Sequence, residues 1–300
     1  MEHIRTGKVK EVYAVDDDTL EFVFTDNISV FDKIIPSQIP HKGETLCRTA
    51  KYWFTLLESK GIKNHFIEYL PPNRMRVKRF QIIEDYDKID QTTNDYLIPL
   101  EVICRHYAAG SLMDRVKAGK ITAEQLGFPK DHVVQYGEKL PKPFLECTTK
   151  LEAHDRELDE KEAKDIAGLS DSDYQGILDT ILKVDEIIGE EASKRKLIHC
   201  DGKKEFGYDE NRNLMLIDTF GTLDEDRWWD SDEYAKGNVV ELSKEFVRQY
   251  YRDIGYHKEL MEAREKGLPE PDIPALPQDI IDRVSKLYTD TYERITGEKF

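Results

Sequence analysis

The stretch Leu197-Ile-His-Cys-Asp201-Gly-Lys-Lys-Glu205-Phe-Gly-Tyr-Asp209-Glu-Asn-Arg-Asn213-Leu-Met-Leu-Ile-Asp218 decides how this chain folds. Its two ends, Leu197-Ile198 and Leu214 to Ile217, are apolar, and Asp209 to Asn213 is a run of turn formers. That pattern predicts a β-hairpin over about 197–219. Side chains alternate across a strand, so Asp201, Lys203 and Glu205 share one face, with Gly202 and Lys204 between them. If residues 210–213 close the hairpin, Glu205 stands directly opposite Asp218, with Cβ atoms about 5 Å apart. Two facing carboxylates repel unless a cation lies between them, and hard oxygen ligands suit Mg²⁺ carried by a nucleotide. Lys203 would offset the remaining charge or bind a substrate anion. The alternative is an exposed, solvated strand face. The apolar flanks argue for central strands, where acids are costly unless they serve a purpose.

Working outward, Tyr174, Ile177, Leu178, Ile181, Val184 and Ile188 mark a helix over 172–196, with Lys194, Arg195 and Lys196 suiting its negative end. The front of the chain reads as a hairpin, Val9–Val15 and Leu20–Thr25 around an Asp16–Thr19 turn. Leu46, Ala50, Trp53, Phe54 and Leu57 give a helix that Gly61 stops. Extended runs at 62–70 and 75–82 precede a polar surface loop near 84–95 and a strand from Leu100 to Tyr107. A Gly- and Pro-rich loop is expected over 127–150, and helical stretches at about 241–265 and 278–296 flank the proline-rich Leu268 to Pro277. The class is α/β (α+β), with a β-rich front and a helical back.

The 300 residues carry 44 basic and 60 acidic side chains, a net −16, which disfavours a nucleic-acid partner because phosphate neutralisation needs a basic face. Nothing approaches the ~18 apolar residues of a membrane span, and Met1-Glu-His-Ile-Arg5 lacks the apolar core of a signal peptide. Cys47, Cys104, Cys147 and Cys200 are far apart, as buried thiols of a reducing compartment would be. A soluble, cytoplasmic enzyme is expected.

Three further clusters could carry chemistry. Lys8 and Lys10, beside Gly7, sit at strand spacing and suit a polyphosphate, or else form a solvated face. Arg105 ends an apolar strand before Gly110 and Ser111, an arrangement that holds a phosphate monoester or is a plain turn with a salt-bridged arginine. Arg227, among acids, is a similar case or a structural ion-pair partner. No P-loop, dinucleotide, nucleophile-elbow or zinc-protease motif occurs, and the eight histidines show no metal-ligand spacing.

Taken in chain order, these pieces resemble the SAICAR synthetase (phosphoribosylaminoimidazole-succinocarboxamide synthase) family. The likeness runs through Gly7-Lys-Val-Lys-Glu-Val-Tyr13, Thr25 to Asp32, Ile39 to Gly43, Glu101-Val-Ile-Cys-Arg105 and Ala109-Gly-Ser111. It continues through Thr148-Thr-Lys150, His154-Asp155, Asp201 to Gly207, Leu216-Ile-Asp218 and Arg227. The resemblance implies an ATP-grasp-related, two-lobed fold. It divides the chain into an ATP-binding lobe over 1–100, a substrate and metal lobe over 101–250 and a helical extension over 251–300. It implies an ATP- and Mg²⁺-dependent ligase joining L-aspartate to carboxyaminoimidazole ribotide through an acyl phosphate, with a homo-oligomer left open. A paralogous amide ligase and a small-molecule phosphotransferase are the competing readings.

By the same resemblance Lys8, Lys10 and Lys78 bind ATP, and Glu205 and Asp218 hold its metal. Arg105, Ser111 and Arg227 bind the ribotide, Lys203 and Asp201 line the reacting centre, and Asp32, Lys42, His154 and Asp155 belong to substrate-side loops. Two positions depart from the family pattern. Thr219 replaces a common glutamate, and Asp226 replaces the usual serine before Arg227, where an added acid is expected to weaken phosphate binding.

Overall fold

The computed structural model describes residues 1–152 and 154–300. The front of the chain builds β1 (Glu2–Thr6), β2 (Lys10–Ala14), β3 (Thr19–Phe24), β4 (Asn27–Val30), β5 (Lys33–Gln38), α1 (Lys42–Ser59), β6 (Phe66–Leu70) and β7 (Arg74–Lys78). Five of these strands form a sheet ordered β1-β2-β3-β7-β6, while β4 and β5 pair separately. Helix α1 buries the stripe read from its sequence, with Ala50, Trp53, Phe54 and Leu57 inaccessible to solvent. Its first turn is held from outside, because the Asp26 carboxylate accepts from the Gly43 N–H at 2.9 Å.

The middle of the chain supplies β8 (Tyr96–Tyr107), α2 (Ser111–Lys117), β9 (Lys139–Thr149), β10 (Glu157–Leu158), α3 (Glu160–Ala167), α4 (Asp171–Ser193), β11 (Leu197–Tyr208), β12 (Leu214–Ile217) and β13 (Asp226–Asp230). The central sheet runs β10-β9-β8-β11-β12, with β13 pairing the first half of β11. Helix α4 starts at a reciprocal cap between Ser170 and Asp173 and buries Ile177, Ile181, Val184 and Ile188. The chain ends in α5 (Ser231–Tyr234), α6 (Glu245–Asp253), α7 (Tyr256–Glu265) and α8 (Gln278–Thr296), the last packing against α1. Among the described residues no helix is long and apolar enough to cross a membrane, and all four cysteines are free and buried.

Several expectations are corrected. The 197–219 hairpin forms, but Glu205 lies opposite Ile217 rather than Asp218. The cause is the loop: Tyr208 pairs with Leu214, and the Asp209 carboxylate gathers the N–H groups of Asn211 and Asn213, so five residues turn the chain instead of four. The expected loop over 127–150 contains the long strand β9. Its prolines, Pro141 and Pro143, fall where the pairing with β8 is irregular and no ladder N–H is required. The 241–265 stretch breaks between α6 and α7 at Gly255, whose φ of 85° ends a helical turn. Lys8 lies in the β1–β2 turn rather than on a strand. Strand β1 and the helices α2 and α3 were not anticipated.

Candidate active site

A cavity of about 720 Å³ is lined by residues of both sheets, a size suited to a nucleotide-sized ligand. Lys8 and Lys10 reach it from the β1–β2 turn, which Gly7 closes by donating to the Lys10 carbonyl at 2.8 Å. Val12, Leu20, Phe22 and Phe80 supply apolar lining, with Lys78 beside them, 2.6 Å from Glu210. The central sheet contributes Lys203 and Glu205, and Ile217 leads into Asp218. Asp218 has a φ of 55°, a left-handed turn that re-aims its side chain into the cavity although the strand register alone would not.

The charges here are tightly interlocked. Lys203 Nζ lies 2.7 Å from Glu101 and 3.0 Å from Glu205, with Glu225 at 3.6 Å. Lys10 pairs with Asp218, and Lys150, just past β9, pairs with Glu205. Burial would raise the Asp218 carboxyl, but Lys10 and Lys150 hold it well below the usual range. Burial likewise opposes ionisation of Glu205, and Lys150 and Lys203 overcome it. The Lys203 ammonium, despite burial, is held well above its ordinary value by Glu225, Glu205 and Glu101. Glu101 goes the other way: burial pushes it up to about 7, against the pull of Lys203. Its position follows from the register, because Glu101 on β8 is the direct cross-strand partner of Glu205. His65 is kept neutral, with burial moving it down to about 4.

A second cluster adjoins along β8 and β11. Arg105 Nε donates to Glu146 at 2.5 Å, Nη1 lies 3.5 Å from Asp201 and Nη2 donates to Ser111 Oγ at 3.4 Å. Arg227 Nε donates to the same Asp201 at 3.3 Å, and its Nη1 lies 3.2 Å from Glu241. Arg227 rests on Gly110: a Cβ there would fall 2.4 Å from Nη2. Two guanidinium groups and a hydroxyl so arranged suit a phosphate monoester.

The remaining predicted residues divide. Asp32, 2.5 Å from Lys8, is largely exposed, and its carboxyl is held low by Lys8 with a smaller contribution from His154. His154 and Asp155 are both exposed. Lys42 is not among the residues lining the cavity. It opens α1 with its ammonium fully buried, 2.9 Å from Asp224. Asp226 does not weaken Arg227, because neighbours on β13 point to opposite faces. Asp226 accepts from His199 at 2.6 Å and Lys204 at 2.9 Å beneath α4. Thr219 lines the cavity beside Asp218.

The family model described as SAICAR synthetase matches residues 3–263. The chain belongs to the SAICAR synthetase family. It is 54% identical over 300 residues to the phosphoribosylaminoimidazole-succinocarboxamide synthase of Thermoplasma volcanium, covering 100% of both chains. It is 31% identical to the Saccharomyces cerevisiae synthase of the same name, covering 99% of this chain and 95% of that one. Among solved structures, a SAICAR synthetase (Type-2) in complex with ADP aligns at TM-score 0.70 and 28% identity, covering 99% and 98% of the two chains. The Saccharomyces cerevisiae SAICAR-synthase complexed with SAICAR aligns at TM-score 0.75 and 26% identity, covering 99% and 95%.

Against this SAICAR synthetase frame, residue-by-residue reading missed Lys150, Glu225 and His65 as parts of the cavity, and Glu101 as the partner of Lys203. Lys150 and Glu101 stand inside motifs that carried the resemblance. Their place became visible only once β8 was known to lie between β9 and β11.

Proposed function

We propose that this chain joins L-aspartate to the carboxylate of carboxyaminoimidazole ribotide, releasing SAICAR, ADP and phosphate. The observation that carries this reading is the meeting of Glu205 and Asp218 with Lys10, Lys150 and Lys203 in one cavity. The adjoining arginine pair, Arg105 and Arg227, supports a phosphorylated second substrate. In this chemistry a ribotide carboxylate oxygen attacks the γ-phosphorus, the bond to ADP breaks, and an acyl phosphate forms. The aspartate amine then attacks the acyl carbon, the C–O bond to phosphate breaks, and the amine proton passes to solvent or a nearby base. The chain's task is positioning and charge stabilisation.

Lys8, Lys10 and Lys78 are assigned to the triphosphate, while Arg105 and Ser111, with Arg227, hold the ribotide phosphate. Lys203 and Asp201 flank the reacting carboxylate, and Asp32, His154 and Asp155 form the rim for the amino acid. Lys42 is left to structure. The donor set of Glu205, buried, and Asp218, half-buried, is oxygen-only and held ionised, and fits a hard divalent cation. These two residues would hold Mg²⁺, which when bound neutralises phosphate charge. The front sheet with α1 fits a nucleotide lobe over 1–100, and the central sheet a substrate lobe over 101–250. Free, buried thiols support a cytoplasmic setting.

The test is ADP release with MgATP, ribotide and L-aspartate, each omitted in turn, with Glu205→Ala as control. Turnover that needs all three and vanishes in the variant supports the ligase. ADP formed without aspartate, alongside a stable phosphorylated product, would instead indicate a phosphotransferase.

A further inference from the structure

The face of the central sheet turned from the cavity carries a cluster that the ligase chemistry does not use. Cys104 and His106, two apart on β8, project to the same side. Cys104 Sγ lies 3.6 Å from His106 Nε2, which lies 3.0 Å from Asp185 Oδ2 on α4. Donor atoms of these three residues all fall within 4.8 Å of one another. A fourth group faces them: His199 Nδ1, on β11, lies 4.0 Å from the same Asp185 oxygen. The His199 side chain is 1% exposed and its Nδ1 has no hydrogen-bond partner. Its other nitrogen, Nε2, donates to Asp226 at 2.6 Å, which leaves Nδ1 with the free lone pair.

We propose that Cys104 Sγ, His106 Nε2, Asp185 Oδ2 and His199 Nδ1 form a structural site for a divalent transition-metal ion of the zinc class. Zinc bonds of about 2.3 Å to sulfur and 2.0–2.1 Å to nitrogen or oxygen set tetrahedral ligand separations of about 3.3–3.6 Å. Cys104, His106 and Asp185 stand at 3.6 and 3.0 Å for two of their pairs and all within 4.8 Å, while His199 Nδ1, 4.0 Å from Asp185, stands outside that group and has to move inward to complete the tetrahedron. One sulfur, two imidazoles and one carboxylate suit zinc better than magnesium or calcium. The Asp226–His199 hydrogen bond is the carboxylate–histidine support that orients a metal-bound imidazole. Lys204, 2.7 Å from Asp185 and 2.9 Å from Asp226, belongs to the same network. The charges then balance: two carboxylates and a thiolate against one ammonium and a divalent cation. Binding forms the metal–ligand bonds and releases the Cys104 thiol proton to solvent. His106, 23% exposed, gives an ion its way in.

Because β8, β11 and α4 each contribute a donor, the bound ion would brace the sheet that positions the active-site charges. No sequence spacing discloses this, since the donors come from three separate elements.

The test is titration of metal-stripped protein with Co²⁺, followed by visible and near-ultraviolet absorption, and with Zn²⁺, followed by thermal unfolding. One equivalent of Co²⁺ is expected to give tetrahedral visible bands and a thiolate-to-cobalt band. Cys104→Ser should abolish the thiolate band, while Cys47→Ser, which removes a buried thiol in α1, should leave it unchanged. His106→Gln, at a partly exposed position, serves if Cys104→Ser fails to fold, and should weaken Co²⁺ binding at least about tenfold. Zn²⁺ should raise the unfolding temperature of wild type and not of His106→Gln. A spectrum without a thiolate band, or equal Co²⁺ affinity in wild type and His106→Gln, overturns the proposal. Neither readout depends on turnover, so the ligase reading stands or falls separately.

Discussion

Replacing Gly110 with alanine tests the arginine cluster most directly. Gly110 sits at φ 56° and ψ −142°, a conformation open essentially to glycine alone, and an L side chain there costs about 1–3 kcal/mol. The new methyl would fall 2.4 Å from Arg227 Nη2 and 3.2 Å from its Cζ, so the guanidinium has to move. It has little room, being 8% exposed and tethered to Asp201, Glu241 and Glu245. Losing one charge-assisted hydrogen bond to a phosphate costs about 1.5–3 kcal/mol. At about 1.4 kcal/mol per factor of ten, the ribotide KM should rise roughly ten- to hundredfold. Steady-state rates with ribotide varied at saturating MgATP and aspartate measure this, with thermal unfolding reporting the backbone strain separately. The KM for ATP should stay within about twofold, because no phosphate lysine is touched. A folded Gly110→Ala enzyme whose ribotide KM is unchanged, or whose ATP KM rises as much, refutes the assignment of Arg227 to the ribotide.

Lys42→Met should destabilise the protein by about 1–3 kcal/mol in denaturant unfolding, since the buried Asp224 carboxylate loses its nearer ammonium and keeps only Lys244 and the Tyr288 hydroxyl, and should leave the aspartate KM near wild type. The Asp224 carboxyl is held low by Lys244 and Lys42 against burial, so the stability it contributes is present above about pH 4 and lost as pH falls below. The gap between wild type and Lys42→Met should therefore be full at neutral pH and narrow in acid, and a gap that widened in acid would contradict the pairing. Asp226→Ser should not tighten ribotide binding, because the carboxylate faces His199 and Lys204, and should lower stability by about 1–3 kcal/mol by taking one of two carboxylate partners from the buried Lys204. Lys150→Met should raise the KM for MgATP at least about tenfold, since it removes an ammonium that lines the cavity beside Glu205, with the ribotide KM the control measurement.

Much of the fold was legible because the decisive segments carry strong local patterns. The apolar stripes of α1 and α4 repeat at helical spacing, and β11 alternates charged and small residues between apolar ends. The site's acids and lysines were legible through motif order. What escaped notice depended on pairing between distant strands. Glu205 faces Ile217 rather than Asp218 because a five-residue turn shifts the β11–β12 register by one, and no local signal counts that residue; its other neighbour, Glu101, comes from the pairing with β8. Strand β9 was hidden because its prolines read as loop until the irregular pairing excuses their missing donors. The burial of Lys42 was equally invisible, since its partner Asp224 lies far along the chain. Asp226 was misjudged as a neighbour of Arg227 by ignoring the alternation of side chains that had been applied correctly to β11.

That alternation gives β11 a parity. A register shift between His199 and Asp201 resets it, after which 203 and 205 line the cavity and 201 holds the arginine pair beside it, while 202 and 204 face the buried network under α4. Heritable change should register the difference. Along 201–205, substitutions at odd positions would be read by a growing cell as lost product, and those at even positions as lost protein. Gain or loss of a single residue within that span would exchange the two sets at once, and a change of length in the 209–213 turn would instead slide β12, and Asp218 with it, past Glu205.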